Sequence, residues 1–335
     1  MLKAGVIGTG QMGQHHVRNY FEIPDVELLA ISDLNEKKGK ELAKKYKCRF
    51  YKNYQEMLKK EKLDLVSIAV PTKLHKKVAL DCLKKNIHVL IEKPIALNLD
   101  EAEEIIEAAE KAKVKLMVGH IERFNPAVRK IKELIEEGRL GKIKSITSKR
   151  VGLVPPRIKD ANVIVDIGTH DIDILNFLYG SLPSEIFASG GKALINYQED
   201  YADIFLKYPN SSSGHIQVNW ITPVKVRKLM VTGTKGYLEA DYITQKILLF
   251  EHSYNQEFGN FEDFVLKYGE PQEKGKLISV KIVEPLRAQL ESFIESIKKD
   301  KEVPCTGQDG LEALRIALIA SYQMRGPTVL RRRKR

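Results

Sequence analysis

The sequence predicts an α/β fold in which a doubly wound parallel sheet is followed by a second, α+β domain. Three observations predict it. Short apolar runs alternate with amphipathic, charged segments in the N-terminal part of the chain, which is the pattern of βαβ units. A glycine-rich turn joins the first apolar run to the first amphipathic segment. The length of 335 residues exceeds the size at which a single hydrophobic core stops growing, so two domains are expected.

The N-terminal elements follow from the spacing of apolar residues. Apolar runs predict strands at residues 2–7, 26–32, 48–51, 63–70, 88–91 and 115–119. Amphipathic segments predict helices at residues 11–21, 36–47, 73–84 and 99–113. Strands and helices that alternate in this way form a parallel sheet covered on both faces. We therefore predict a first domain over residues 1–121.

After about residue 122 the pattern becomes strand-rich. Helices are predicted at residues 127–137, 171–178, 285–299 and 309–324, and strands at residues 201–208, 214–220, 228–232 and 237–240. Gly233-Thr234-Lys235-Gly236 predicts a hairpin turn. Residues 122–330 are therefore expected to form the α+β domain, and residues 331–335 a basic tail. Residues 152–156 and 255–276 are expected to be loops or insertions.

Composition and charge exclude several classes of protein. No run of about 18 apolar residues is present, so we expect neither a membrane span nor a secretory signal. Cys48, Cys82 and Cys305 are far apart and form no C-x-x-C pair, which indicates reduced thiols in the cytoplasm. The net charge is +11, but five positive charges lie in residues 331–335 and most other lysines alternate with glutamates. We therefore expect no nucleic-acid partner.

The glycine-rich turn has the spacing of a dinucleotide-binding motif. It reads Gly8-Thr9-Gly10-Gln11-Met12-Gly13, follows a predicted strand and opens a predicted helix. Gly8 permits the tight turn, Gly10 lets the backbone approach a pyrophosphate, and Gly13 lets helix and strand pack closely. The amide groups of the first helical turn, which includes Gln11 and Met12, are suited to the phosphates. The motif predicts a Rossmann domain.

Asp33 ends the second predicted strand, twenty residues beyond Gly13. Its carboxylate is suited to the adenosine ribose hydroxyls and repels a 2′-phosphate, which predicts NAD(H) rather than NADP(H) as the cofactor. Lys37 and Lys38 lie near enough to leave NADP(H) open. The alternative is that the glycines form a structural turn and that Asp33 caps a helix.

Further candidate residues lie where a doubly wound sheet binds its ligands, beyond the carboxyl ends of the strands. Pro71, Thr72 and His75 follow the fourth strand, and Glu92-Lys93-Pro94 follows the fifth. We expect these residues to contact the cofactor. Lys93 can also donate a hydrogen bond to a substrate hydroxyl. An ordinary surface lysine is the alternative.

The segment Asp166-Ile-Gly-Thr-His170-Asp171-Ile-Asp173 carries the second candidate. A spacing of four residues puts Asp166 and His170 on one face of a helix, where the carboxylate can orient the imidazole. His170 is then a candidate proton acceptor, and Asp173 a candidate substrate contact. The alternatives are that Asp166 or Thr169 caps the helix with His170 as an interior residue, or a metal site. Because neither cysteine nor an H-E-x-x-H motif accompanies the segment, no metal is predicted.

Taken together, the glycine motif, Glu92-Lys93-Pro94 and Asp166-x-x-x-His170-x-x-Asp173 resemble the Gfo/Idh/MocA oxidoreductase family over nearly the whole chain. The resemblance implies a Rossmann domain and an open, mostly antiparallel sheet whose face forms homodimers or homotetramers. It also implies that Lys93 contacts both nicotinamide and a substrate hydroxyl. His170 would transfer the proton, with Asp166 as its partner.

A narrower resemblance, to the branch that oxidises UDP-N-acetylglucosamine at C3, rests on three segments. These are Gly119-His120-Ile121-Glu122-Arg123-Phe124-Asn125-Pro126, Glu284-Pro285-Leu286 and Gly307-x-Asp309-Gly310. It implies a small-molecule sugar or nucleotide-sugar as the substrate.

Arg123, Asn125 and Arg157 are candidate contacts for such a nucleotide-sugar, since a guanidinium suits a phosphate. The alternative for these residues is a role as surface residues or helix caps. For the protein as a whole, one alternative is a dehydrogenase of a free polyol such as myo-inositol. Another is a non-catalytic regulator that binds a dinucleotide.

Overall fold

The computed structural model describes residues 1–153, 161–251 and 275–325. The chain divides into two compact units: the first is Met1–Phe124 with Val283–Arg315, and the second is Asn125–Ile282 with Ile316–Arg335. The division predicted from the sequence differs, because it places residues 283–315 in the second domain. The predicted basic tail, 331–335, lies outside the described residues.

The first unit is built on a six-stranded sheet in the order β3-β2-β1-β4-β5-β6, with every pair of neighbours parallel. Its strands are β1 Leu2–Ile7, β2 Val26–Ser32, β3 Arg49–Tyr51, β4 Leu65–Ile68, β5 His88–Glu92 and β6 Leu116–Gly119. The central strands are buried on both faces, since all four residues of β4 are buried. This confirms the predicted doubly wound sheet, and its strand order is that of the Rossmann fold.

Helices connect these strands. They are α1 Gln11–Glu22, α2 Glu36–Lys45, α3 Tyr54–Lys60, α4 His75–Leu83 and α5 Leu99–Ala112. Asparagine side chains cap three of them: Asn35, Asn53 and Asn98 accept a hydrogen bond from an amide in the first turn of α2, α3 and α5. Of these helices, only α3 is absent from the sequence-based prediction.

Residues 283–315 belong to the first unit because polar contacts tie them to it. This segment contains α8, Pro285–Lys298, and the start of α9, Gly307–Arg325. Glu284 accepts hydrogen bonds from Arg18 (2.5 Å) and Asn19 (3.1 Å) on α1. Thr306 forms an isolated antiparallel bridge with Met117 of β6. Such long-range pairings cannot be read from local sequence patterns.

The second unit contains an eight-stranded sheet in the order β14-β13-β12-β11-β7-β10-β9-β8. Its strands are β7 Ile143–Leu153, β8 Glu185–Gly191, β9 Tyr201–Tyr208, β10 Ser212–Asn219, β11 Ile221–Gly233, β12 Gly236–Asp241, β13 Lys246–Glu251 and β14 Lys276–Ile278. Only β7 and β10 pair in parallel among these strands. The mostly antiparallel sheet is therefore confirmed. Thr234 and Lys235 form the predicted hairpin connection between β11 and β12.

Two further helices belong to this unit, α6 Pro126–Glu136 and α7 Thr169–Tyr179. A single turn of π-helix, Ile164–Gly168, leads directly into α7. Such turns are rare and are frequently found at functional sites. Among the described residues, no helix has the length and apolar character needed to cross a membrane.

A buried ion pair anchors α7 to the sheet. Arg150 of β7 donates from Nε to the Asp171 carboxylate at 2.6 Å, and the hydroxyl of Ser148 donates to the same carboxylate at 2.5 Å. The Arg150 and Asp171 side chains are only 5% and 0% exposed. Because a buried charge is costly without its partner, the two residues fix the start of α7 against β7.

Replacing Asp171 by Asn should therefore lower the free energy of unfolding by about 3–5 kcal/mol, because the Arg150 guanidinium loses its buried carboxylate. Urea unfolding followed by the fluorescence of Trp220, the single tryptophan, reports on the second unit. The matched control is Glu185→Gln in the exposed Lys207–Glu185 pair, for which about 1 kcal/mol or less is expected. Equal losses in both variants would contradict the anchoring role.

Candidate cofactor and active site

The glycine-rich turn has the conformation that its sequence predicts. Gly8 adopts φ +88°, a left-handed conformation, and a side chain there would also meet the Ala69 carbonyl oxygen at 2.6 Å. A side chain at Gly13 would overlap the carbonyl oxygen of Gly8. Gly10, by contrast, faces open space, since a Cβ at this position would have no atom within 4 Å. The turn is thus packed tightly against the protein and open at Gly10, the position at which a pyrophosphate would approach.

Asp33 holds the glycine turn in place. Its carboxylate accepts hydrogen bonds from the Thr9 amide (2.6 Å) and hydroxyl (2.9 Å), and from the Asn35 amide (2.7 Å). The residue that caps α2 is Asn35, whose side chain accepts from the Lys38 amide at 3.1 Å. The alternative in which Asp33 is the helix cap is therefore not what the structure shows. Asp33 remains beside the turn, where it can also accept from a ligand hydroxyl.

A cavity of about 280 Å³ opens at the carboxyl ends of β1, β2 and β4. Its lining includes Gly8, Gly10, Asp33, Val70, Pro71 and Leu74. A mainly apolar wall beside one carboxylate fits the adenosine of a dinucleotide, with the base on the apolar side and the ribose at Asp33. The charged lysines in the lining are Lys52 and Lys77, not Lys37 and Lys38. The Asp33 carboxylate in this lining fits the ribose hydroxyls of NAD.

His75 lies beside this cavity but is turned into the protein. It begins α4, directly after the 3-10 turn Thr72–Leu74, and is 1% exposed. Its Nδ1 lies 2.9 Å from the Pro94 carbonyl and its Nε2 2.9 Å from the Val70 carbonyl. Burial lowers the pKa of His75, although the two carbonyls act in the opposite direction. His75 therefore joins the segments that follow β4 and β5, and its role as a cofactor contact stays a prediction.

Lys93 directly follows β5 and is partly exposed, and its peptide bond to Pro94 is cis. The neighbouring Glu92 accepts a hydrogen bond from His16 Nε2 at 2.8 Å. Burial alone would raise the pKa of Glu92, but His16, Lys93 and His75 outweigh it and hold that pKa below its usual value. Lys93 is thus placed at the carboxyl edge of the sheet, next to an ionised carboxylate.

In the second unit, Asp166 and His170 lie on one continuous helical segment. Asp166 is in the π-helical turn and His170 is the second residue of α7. Neither Asp166 nor Thr169 caps the helix: the Thr169 hydroxyl donates to the Val165 carbonyl at 3.0 Å, and Asn162 accepts from the Val165 amide at 3.0 Å. The two candidate residues are therefore one helical turn apart and both partly exposed. Their roles in proton transfer stay predictions.

The predicted substrate contacts near residue 123 have structural partners. Arg123 is 7% exposed, donates to Asp309 at 3.0 Å and to the Pro304 carbonyl at 3.3 Å. Burial would raise the pKa of Asp309, but Arg123 and Thr306 hold it below its usual value. Arg123 thus holds the start of α9 in the first unit. Its position favours a structural role over contact with a substrate.

Asn125 and Asp173 are also buried, at 3% and 1% exposed. Asn125 is the N-cap of α6, where it accepts from the Ala127 amide at 3.1 Å, and it donates to the Tyr242 carbonyl at 3.2 Å. This too favours the alternative role as a helix cap. Arg157, the third predicted contact, lies outside the described residues. Substrate contact by Arg123, Asn125, Arg157 and Asp173 stays a prediction.

Sequence reasoning did not identify His16 as part of the site. His16 is fully buried, and its Nδ1 lies 2.9 Å from the Ser67 hydroxyl, which in turn lies 2.8 Å from the Tyr20 hydroxyl. One signal was present in the sequence, because a residue three positions after Gly13 shares its helix face and must point toward the sheet.

Among the described residues, no group of three or more His, Cys, Asp or Glu side chains is arranged to hold a metal ion.

Comparison with known protein families matches segments of both units to one family. Residues 2–120 match the oxidoreductase family with an NAD-binding Rossmann fold, and residues 128–239 match the GFO/IDH/MocA C-terminal domain. UDP-N-acetylglucosamine 3-dehydrogenase from Acidithiobacillus ferrooxidans is 26% identical, over 95% of each chain. Myo-inositol 2-dehydrogenase from Thermotoga maritima is 27% identical, over 96% of each chain.

Solved structures share the fold. The structure of the Acidithiobacillus ferrooxidans UDP-N-acetylglucosamine 3-dehydrogenase covers 96% of this chain and 97% of its own, with a TM-score of 0.84 and 24% identity. At that identity the likeness supports the fold and not the substrate. The two matched domains, in order and over most of the chain, settle the family: the protein belongs to the Gfo/Idh/MocA oxidoreductases and has their NAD-binding Rossmann domain.

Proposed function

We propose that this NAD-binding oxidoreductase oxidises the C3 hydroxyl of UDP-N-acetylglucosamine, or of a close UDP-sugar, to the 3-keto sugar. The proposal of an alcohol oxidation rests on the position of Lys93. This residue directly follows the carboxyl end of β5, in the same sheet as β1, β2 and β4, whose carboxyl ends line the cavity. The choice of sugar is supported by the relative that carries out this reaction and matches over 95% of each chain.

In the proposed reaction, His170 accepts the proton of the substrate hydroxyl while Lys93 donates a hydrogen bond to the same oxygen. Asp166 orients the His170 imidazole and stabilises its charged form. NAD, when bound, supplies the acceptor for the hydride. The first-turn amides of α1 and the open face at Gly10 would hold the pyrophosphate, and Asp33 the ribose.

A free polyol such as myo-inositol is the second candidate substrate, and the Thermotoga maritima relative favours it. The burial of Arg123 and Asn125 also favours it, because these residues are engaged by Asp309 and the α6 cap and so are less suited to a nucleotide. The other alternative is a regulator that binds a dinucleotide without catalysing a reaction. Lys93, Asp166 and His170 are all present, which argues against it.

Turnover should depend on the sugar nucleotide and on His170. Wild type should form NADH with UDP-N-acetylglucosamine, and not with UDP-N-acetylglucosaminuronate, free N-acetylglucosamine or myo-inositol. His170→Ala should lower kcat by about 100-fold to 10,000-fold, because a general base contributes that much. NADH absorbance is the measurement.

His15→Ala is the matched control, since His15 lies on the exposed side of α1 next to buried His16. It should leave kcat unchanged. NADH formation only with myo-inositol would support the same mechanism with a different substrate. An unchanged rate in His170→Ala would refute the proton-transfer role.

The cofactor preference should depend on Asp33. Asp33→Asn keeps the shape of the side chain but removes the charge that repels a 2′-phosphate. Affinity for NADH should fall by about 10-fold to 100-fold, as expected for a lost charged hydrogen bond. The difference in affinity between NADH and NADPH should become smaller. Equilibrium titration of nicotinamide fluorescence measures both. Lys37→Ala, outside the cavity lining, is the control, and an equal effect in that variant would contradict the assignment.

We also propose a cytoplasmic homodimer or homotetramer that assembles through the outer face of the second sheet. Phe187 and Phe205 lie opposite each other in β8 and β9 and are 57% and 53% exposed. Phe205 also stacks on His215, with ring centroids 4.5 Å apart. Exposed apolar side chains that adjoin on one face are typical of an interface.

Phe205→Lys should therefore convert a dimer into monomers, or a tetramer into smaller species, because it would bury a charge in the proposed interface. Light scattering coupled to size-exclusion chromatography measures the mass. Phe21→Lys, at a 48% exposed phenylalanine of the first unit, should leave the mass unchanged. A monomeric wild type would refute the proposed assembly.

A further inference from the structure

A chain of buried hydrogen bonds runs beneath the residues that precede Lys93. The hydroxyl of Tyr20 lies 2.8 Å from that of Ser67, Ser67 lies 2.9 Å from His16 Nδ1, and His16 Nε2 lies 2.8 Å from the Glu92 carboxylate. Tyr20, Ser67 and His16 are 0% exposed, and the Glu92 side chain is 13% exposed. The chain links α1, β4 and the end of β5 within the first unit.

The chemistry of Glu92 sets the direction of the last hydrogen bond in this chain. Its lowered pKa keeps the carboxylate ionised, so it can only accept, and His16 must donate from Nε2. The Ser67 hydroxyl bridges His16 Nδ1 and the Tyr20 hydroxyl. Burial raises the pKa of Tyr20 above its usual value, so the hydroxyl stays protonated and can donate a hydrogen bond. The bond that reaches Glu92 is therefore donated by His16.

The carboxylate that receives these bonds is held closely on its other side. A Cβ at Gly119 would lie only 3.1 Å from both the Cα and Oε2 of Glu92, so β6 packs directly against this residue. On the far side of Lys93, His75 Nδ1 lies 2.9 Å from the Pro94 carbonyl. Lys93 is thus flanked by two residues that lie against buried histidines.

Packing alone does not account for a polar chain of this kind. Burying hydroxyl and imidazole groups is unfavourable unless each is hydrogen-bonded, and apolar side chains of similar volume would fill the same space at lower cost. Fully connected polar networks of this type instead fix one arrangement of their members. The arrangement fixed here ends at Glu92, one residue before Lys93.

We propose that His16 is a positioning residue for Lys93, which it serves by holding Glu92. Helix α1 also begins at the glycine turn, so the element that receives the NAD pyrophosphate and the one that fixes Lys93 are the same helix. This inference rests on the proposed role of Lys93 in catalysis. A misplacement of about 1 Å at a reacting group can lower the rate by about 100-fold.

The test compares two amide replacements of one side chain. The amide of His16→Gln reaches as far as Nε2 and can still donate to Glu92, whereas the shorter amide of His16→Asn reaches only as far as Nδ1. We expect His16→Asn to lower kcat by about 10-fold to 100-fold with little change in KM for NAD, and His16→Gln to restore most of it. Lys93→Ala is measured beside them with UDP-N-acetylglucosamine and myo-inositol as probes.

A second measurement does not depend on turnover. Nuclear magnetic resonance of wild-type protein with 15N-labelled histidine distinguishes the two neutral tautomers, and sequential assignment of the wild-type spectrum identifies the His16 signal. We expect a ring protonated at Nε2. A ring protonated at Nδ1 alone would overturn the proposal, because it could not donate to Glu92, even if the variants failed to fold.

The outcomes separate the two proposals. Loss of kcat in Lys93→Ala with wild-type kcat in His16→Asn overturns the positioning role and leaves the proposed function intact. Full activity in Lys93→Ala overturns the proposed function, and with it the need for positioning. Equal losses of kcat in His16→Asn and His16→Gln would also overturn the proposal, since the restored donor would then make no difference.

Discussion

The first unit depends on how closely α1 approaches the sheet at Gly13. Because Gly13 has no side chain, α1 can lie against the Gly8 carbonyl, and its N-terminus then reaches the carboxyl edge of β1. One helix turn later, the same approach brings His16 within hydrogen-bond distance of Ser67 and Glu92. A single packing constraint thus places both the phosphate-binding amides and the support of Glu92, the residue before Lys93. A side chain at position 13 would disturb both together.

Buried polar groups have a similar role in each unit. In the first, Asp33 ties the glycine turn to the end of β2, and His16 holds Glu92. In the second, Arg150 and Ser148 hold Asp171, the residue after His170. Such groups are costly to bury, so they add little net stability, but they select one arrangement of the chain. Each candidate catalytic residue, Lys93 and His170, directly adjoins a residue held in this way.

The sequence predicted most of the first unit, because buried parallel strands are short apolar runs separated by amphipathic helices. Strand β2 has its predicted bounds, whereas helix α3 was missed since seven residues are too few to show helical periodicity. Strand β7 was also missed. Its inward positions include Ser148 and Arg150, so apolar alternation is absent. The glycine motif and Lys93 were identified because their meaning is local, whereas the partners of His16 lie 51 and 76 residues away in the sequence.

Removal of hydride from C3 of the sugar is the central claim. Its most direct test offers UDP-N-acetylglucosamine deuterated at C3 to a stoichiometric amount of enzyme and NAD, followed by mass spectrometry of the total cofactor after denaturation. This includes any cofactor that stays bound. We expect reduced cofactor that carries one deuterium, with a 3-keto sugar as the product. Reduced cofactor without deuterium, or deuterium retained in an oxidised sugar, would contradict the claim.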